Sequence, residues 1–169
     1  MNAMLVAALA TAAAVAATAI AFAPSNEIRT EVTIDASPDQ VWSVLIDGAS
    51  YSEWNPFIVG MEGDAIKGGT LVNTMQPAGG SRMVFRPTVV EAAPGRELRW
   101  LGRLLAPRIF DGEHYFLLEA KDGGTRLVHG EKFRGVLLWV MGTGGFRADF
   151  ERMNAALKAR VESRGIASL

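Results

Sequence analysis

The sequence predicts an α+β fold: a bent antiparallel β-sheet wrapped around a long C-terminal helix, with a separate membrane helix at the N-terminus. Three observations predict it. An uncharged apolar run opens the chain from Ala3 to Ala23. A series of short segments with alternating apolar and polar residues follows, each bounded by Gly- or Pro-containing turns. The chain then closes on Phe146, Phe150, Met153, Leu157 and Val161, recurring at steps of three and four as the apolar stripe of a helix does.

The opening run carries Thr11 and Thr18 as its polar side chains. As a helix it would span roughly 31 Å, the hydrocarbon thickness of a bilayer. Three readings compete: an uncleaved single-pass anchor, a removed signal peptide and, last, a packing helix of a soluble protein. Ala21-Phe22-Ala23 resembles a small-x-small cleavage pattern, but no Lys or Arg precedes the run and Pro24 would follow the cut. The anchor is the expectation, with residues 1–24 as the membrane segment and 25–169 as the domain.

Ile28, Thr30, Val32 and Ile34 share one face of a half-buried strand, with Arg29, Glu31 and Thr33 on the other. Ser37-Pro38-Asp39-Gln40 opens a short helix. Ser37 caps it, Pro38 suits the first helical position, and Gln40 completes a capping box. Asp47-Gly48 ends that helix, and Tyr51 to Phe57 reads as an aromatic-rich loop. Six strands are then expected, Phe57–Glu62, Thr70–Gln76, Arg82–Ala92, Glu97–Leu104, Gly112–Ala120 and Thr125–Arg134. Their turns are Lys67-Gly68-Gly69, Pro77-Ala78-Gly79-Gly80, Pro94-Gly95 and Asp122-Gly123-Gly124. The last helix runs from about Phe146 to Ser163.

Composition excludes several classes of function. The 169 residues carry 17 basic and 18 acidic side chains for a net charge of −1, so no nucleic acid is expected as a partner. There is no cysteine, which removes thiol catalysis, disulfides and Cys-ligated metal sites. No Gly-x-Ser-x-Gly elbow, phosphate loop or Asp-rich calcium loop occurs. No metal and no cofactor are expected.

Several motifs resemble the SRPBCC superfamily of helix-grip domains, which includes START-like lipid-transfer and polyketide cyclase/dehydrase-like proteins. They are Ser37-Pro38 with Val41-Trp42, Trp54-Asn55-Pro56-Phe57, Glu97-Leu98-Arg99-Trp100 with Gly102, and Gly112-Glu113-His114-Tyr115-Phe116. Thr125-Arg126-Leu127, Glu131 and Phe133 with Gly135, and Met153-Asn154 with Leu157-Lys158 complete the set, from about Glu27 to Glu162. The resemblance implies a helix-grip fold with a cavity between sheet and C-terminal helix. It leaves activity open, because members bind, carry or transform many apolar molecules.

Alternation assigns the inward faces. Met83, Phe85 and Val89 are expected inward, as are Leu98, Trp100 and Leu104. A tight turn at Asp122-Gly123 pairs Ala120 with Thr125, and so sets Leu118 opposite Leu127, Phe116 opposite His129 and His114 opposite Glu131. Both histidines of the chain and one carboxylate thus meet on an apolar wall, with opposite Cβ atoms about 5 Å apart.

Three roles fit this cluster: a satisfied buried pair, a polar anchor for a ligand, or a general acid–base group. Two histidines and a carboxylate could also bind a metal, but neighbouring strands rarely converge tightly enough for it. The expected ligand-binding set is Trp54, Asn55, Phe85, Trp100, His114, Phe116, His129, Glu131, Phe133 and Phe150. Trp54, Asn55, Pro56 and Phe57 form either a cavity rim or ordinary packing. The apolar run Gly135 to Gly142 is either core or a gate. The functional expectation is a membrane-tethered binding or carrier domain for a lipid-like or quinone-like molecule. The alternatives are an accessory subunit of a larger membrane complex, and a cyclase- or dehydratase-type enzyme using His114, His129 and Glu131.

Overall fold

The computed structural model describes residues 2–140 and 142–166. Helix α1 (Ala3–Ala21) has a mean hydropathy of 2.2 and buries none of its residues against the rest of the chain. It is long and apolar enough to cross a membrane, a test that a signal sequence passes equally. Strand β1 (Ser25–Ile34) begins three residues before the point expected from alternation. Helix α2 (Pro38–Leu45) carries the expected capping box: Ser37 Oγ accepts from Gln40 N, and Gln40 Oε1 accepts from Ser37 N at 2.9 Å.

The segment expected as an aromatic loop is instead ordered as a 3-10 turn, Gly48–Ser50, and a short helix α3 (Tyr51–Trp54). Tyr51 drives this. It is fully buried, and its hydroxyl donates to the Leu45 carbonyl at 2.7 Å, folding the segment back under α2.

Among the described residues, eight strands form two antiparallel sheets. The first has the order β1-β8-β7-β6-β5, with β5 Thr88–Ala93, β6 Glu97–Leu104, β7 Phe110–Lys121 and β8 Gly124–Arg134. The second is β2 (Ile58–Glu62), β3 (Val72–Met75) and β4 (Met83–Phe85). The expected strand Arg82–Ala92 is thus broken. Pro87 has no N–H to donate and fixes its own φ, so the chain leaves one sheet at Phe85 and joins the other at Thr88. Leu71 N donates to Pro87 O at 2.9 Å and Val89 N to Gly69 O at 2.8 Å, which joins the two sheets at the bend.

Asp122 and Gly123 have φ of 51° and 83°, as the two-residue turn requires, and the register through β7 and β8 follows from it. Ala120 faces Thr125, Leu118 faces Leu127, Phe116 faces His129 and His114 faces Glu131. Helix α4 (Phe146–Ile166) lays Phe150, Met153, Leu157 and Val161 against the sheet, all buried, with Phe146 partly so.

Candidate functional site

Strands β7 and β8 present His114 and His129 to the helix side, where α4 meets them with Phe150 and Asn154. His129 is wholly buried between two aromatic faces, Phe150 at 4.4 Å and Phe116 at 4.5 Å between ring centroids. Trp100 lies parallel to His114 at 4.7 Å. Phe133 packs beside Phe110 and Phe146 at 5.8 and 6.0 Å. Trp100, His114, Phe116, His129, Phe133 and Phe150 are each under 5% exposed. At these residues the concave face is therefore filled by side chains, where an open void was expected.

A polar chain threads this packing. His114 Nδ1 lies 3.3 Å from Glu131 Oε2, and His114 Nε2 lies 2.9 Å from His129 Nε2. His129 Nδ1 lies 2.7 Å from Asn154 Oδ1, and Asn154 Nδ2 donates to Thr30 Oγ1 at 2.9 Å. Thr30 Oγ1 donates to the His129 carbonyl at 3.0 Å.

The chemistry fixes each proton from Thr30 to His114 Nε2. A carbonyl can only accept, so Thr30 spends its hydrogen there and can only accept from Asn154. The Asn154 amide is thereby oriented with Oδ1 toward His129, which must donate from Nδ1. His129 Nε2 is then a lone pair, and His114 must donate to it from Nε2.

Burial decides the remaining charge. It pushes the Glu131 carboxyl up to about 8 and the His114 imidazole down to about 3. His129 is held well below the ordinary range by burial and by the neighbouring His114, against the Asn154 hydrogen bond. With the carboxyl pushed up and the imidazole pushed down, burial favours Glu131 as a carboxylic acid donating from Oε2 to the His114 Nδ1 lone pair, with both rings neutral. Glu131 stands at the edge of the cluster with 15% of its side chain exposed.

Gly112 makes room for Glu131: a Cβ there would collide with Glu131 Oε1. Gly112, Asn154 and Thr30 were absent from the expected set. For Asn154 the signal was present, a carboxamide inside the apolar stripe between Met153 and Leu157. Thr30 carried a weaker one, a hydroxyl on the inward face of β1.

Trp54, Asn55 and Phe85 do not join the cluster. Phe85 is 38% exposed on the second sheet, because the break at Pro87 removes it from the inward alternation of β5 and β6. Asn55 Oδ1 accepts from Phe57 N at 3.0 Å and Ile58 N at 2.9 Å, which holds the turn into β2. Trp54 packs edge-on against Tyr51 at 5.0 Å. Among the described residues no group of three or more His, Cys, Asp or Glu side chains is spaced to hold a metal ion.

The apolar run after β8 is core only in part: Leu138 packs against the core, and the rest turns outward. Val136 to Trp139 form a 3-10 turn, Trp139 is 59% and Val140 80% exposed, and Met141 lies outside the described residues. An open depression of about 400 Å³ lies between β1 and α4, lined by Glu31, Val32, Glu151, Lys158 and Glu162 and reaching the cluster only at Asn154.

Residues 25–162 match the family described as polyketide cyclase/dehydrase and lipid transport. No curated protein sequence matches the chain significantly. Among solved structures, the Zhui aromatase/cyclase from Streptomyces sp. R1128 superposes with a TM-score of 0.68 at 17% identity, over 83% of this chain and 96% of that one. The di-domain StfQ of the steffimycin biosynthetic pathway gives 0.63 at 15% identity, over 83% of this chain and 52% of that one. Ara h 8.0201 gives 0.63 at 14%, over 83% and 99%. At these identities the likeness is one of fold.

Proposed function

The chain belongs to the polyketide cyclase/dehydrase and lipid transport family, and on that premise we propose that it is a membrane-tethered binding domain for a hydrophobic small molecule, lipid-like or quinone-like, oriented by Glu131. The observation that carries this reading is Glu131 itself: a carboxyl kept neutral by burial, partly open, beside an aromatic wall. Apolar sites orient their ligands with a few such groups. The ligand enters past Phe110 and Leu138, which are only partly buried at the end of the sheet nearest Glu131.

The tether is supported by where α1 leaves the domain. Pro24 O accepts from Gly135 N at 3.1 Å, beside the 3-10 turn. Val136 N and Leu137 N donate to Arg108 O and Ile109 O at 2.9 and 3.1 Å, and the Asn26 side chain donates to Thr143 Oγ1. The exit of α1, the β6–β7 loop and the exposed Trp139 and Val140 therefore share one end. Leu105 joins them, 90% exposed and held at a φ of 66° that a leucine rarely adopts. A helix in the bilayer with so short a connection would hold this end at the lipid surface, where an interfacial Trp and exposed aliphatics are at home.

Mass spectrometry of small molecules released from the full chain, purified in mild detergent, tests the reading. An apolar molecule at near-stoichiometric amount is expected. Recovery of none, together with failure to bind an apolar fluorescent probe, would overturn it.

A further inference from the structure

We infer that the molecule bound at Glu131 donates a hydrogen bond to it: an apolar skeleton bearing a hydroxyl, such as an alcohol, phenol or hydroquinone, and not its ether, ketone or quinone counterpart. This rests on the binding reading above and narrows it.

The direction of the polar chain carries the inference. It is set at its inner end by the His129 peptide carbonyl, which only accepts, and passes outward through Thr30, Asn154 and His129 to His114. Between His114 Nδ1 and Glu131 Oε2 there is one hydrogen, on the nitrogen or on the oxygen. In either case the other carboxyl oxygen, Oε1, has lone pairs and no hydrogen. Were the proton on Oε1 and His114 neutral, two lone pairs would face each other across the 3.3 Å gap. The conclusion therefore holds whichever charge state the pair adopts.

Oε1 has no hydrogen-bond partner among the described residues and lies over Gly112, next to the Phe133 ring. An acceptor facing an apolar entrance has two outcomes when a ligand covers it. A hydroxyl satisfies it. An ether or carbonyl oxygen sets lone pair against lone pair and leaves Oε1 desolvated without a donor. Sites built around a buried hydrogen-bonding group reject analogues that cannot complete the bond.

The test uses matched probes on the full chain in lipid nanodiscs, with binding to empty nanodiscs subtracted: 1-naphthol, 1-methoxynaphthalene and 1-acetylnaphthalene. In the wild type 1-naphthol should bind about 10-fold or more tightly than either counterpart. Glu131→Gln should keep the preference, because its amide N–H can donate to His114 and leave an oxygen at the Oε1 position. Glu131→Leu should abolish it, binding the three probes alike. Equal binding of the probes by the wild type, a preference for the ketone, or a preference that survives Glu131→Leu would overturn the inference and leave the binding reading standing. If no probe binds at all, the binding reading falls and takes this inference with it.

Discussion

Glu131 Oε1 occupies the space that a side chain on Gly112 would fill. The carboxyl leans inward only because the facing strand offers bare backbone at that point. Gly112→Ala should therefore push the carboxyl toward water. Its pKa, raised to about 8 by burial, should fall toward the ordinary 4.5. A carboxyl infrared or carbon NMR titration of wild type and variant measures the change, and an unmoved titration would show that the notch does not position Glu131.

The cluster gives stability a defined pH profile. Glu131 has a folded pKa of about 8 against 4.5 unfolded, so its contribution is complete below 4.5 and is lost as pH rises toward 8. The histidines run the other way: His114, at about 3 folded against 6.5 unfolded, contributes above 6.5 and loses that contribution as pH falls. With His129 also lowered, two histidines outweigh one carboxyl on the acid side. The cluster should thus favour a stability maximum near pH 6.5 and a decline above it, by up to about 1.4 kcal/mol per pH unit. Urea unfolding from pH 5 to 9 reads the profile. Glu131→Gln should remove the alkaline decline and keep the acid one.

Asn154 faces His129 from α4, so two substitutions there should act differently. Asn154→Leu removes the side-chain acceptor of the His129 N–H and leaves the Phe150 backbone as its remaining partner, so it should cost about 1 kcal/mol in a denaturant melt. Asn154→Asp offers His129 a carboxylate and should raise its pKa, lowered in the wild type mainly by burial. Imidazole nitrogen NMR distinguishes the two.

Phe116 is wholly buried and forms one wall of the His129 sandwich. Phe116→Ala should cost about 3–5 kcal/mol of stability, the usual range for such a cavity. A much smaller loss would mean that the sheet and α4 close over the gap.

The absence of cysteine makes the end proposed to face the membrane directly testable. Single cysteines at Leu105, Val140 and, at the other end of β7, Lys121 can each carry a fluorescent label on the full chain in phosphatidylcholine/phosphatidylglycerol vesicles. Labels at 105 and 140 should be quenched by doxyl lipids and shielded from iodide, and the label at 121 should show the reverse. Equal iodide access at all three positions, in chain that resists alkaline extraction, would put this end in water.

Much of this was legible in the sequence, for local reasons. The Asp122-Gly123 turn fixes a register, and the register alone brings His114 to Glu131 and Phe116 to His129, because a one-residue slip would turn every side chain over. Capping chemistry placed α2, and the apolar stripe placed α4. What failed was non-local. Alternation through Arg82 to Ala92 could not show that Pro87 sends the chain to a second sheet, and Phe85 was misplaced in consequence. Nor could a strand register show which residue of α4 meets His129. Asn154 and Thr30 are 25 or more residues away along the chain and converge only through tertiary packing.

The chain from Glu131 to the His129 carbonyl has five hydrogen bonds, all pointing the same way. Each donation polarises the next in a medium of low dielectric. The positive ends face the peptide and the negative end emerges at Glu131 Oε1. A bare carboxylate would offer an equally electron-rich oxygen, but only with a net charge that an apolar neighbourhood penalises heavily. The aligned row instead gives a neutral carboxyl part of the accepting power of an anion. It does so without conducting: a peptide oxygen at the far end has no proton to pass on, so electron density is shifted along the row while every hydrogen keeps its place.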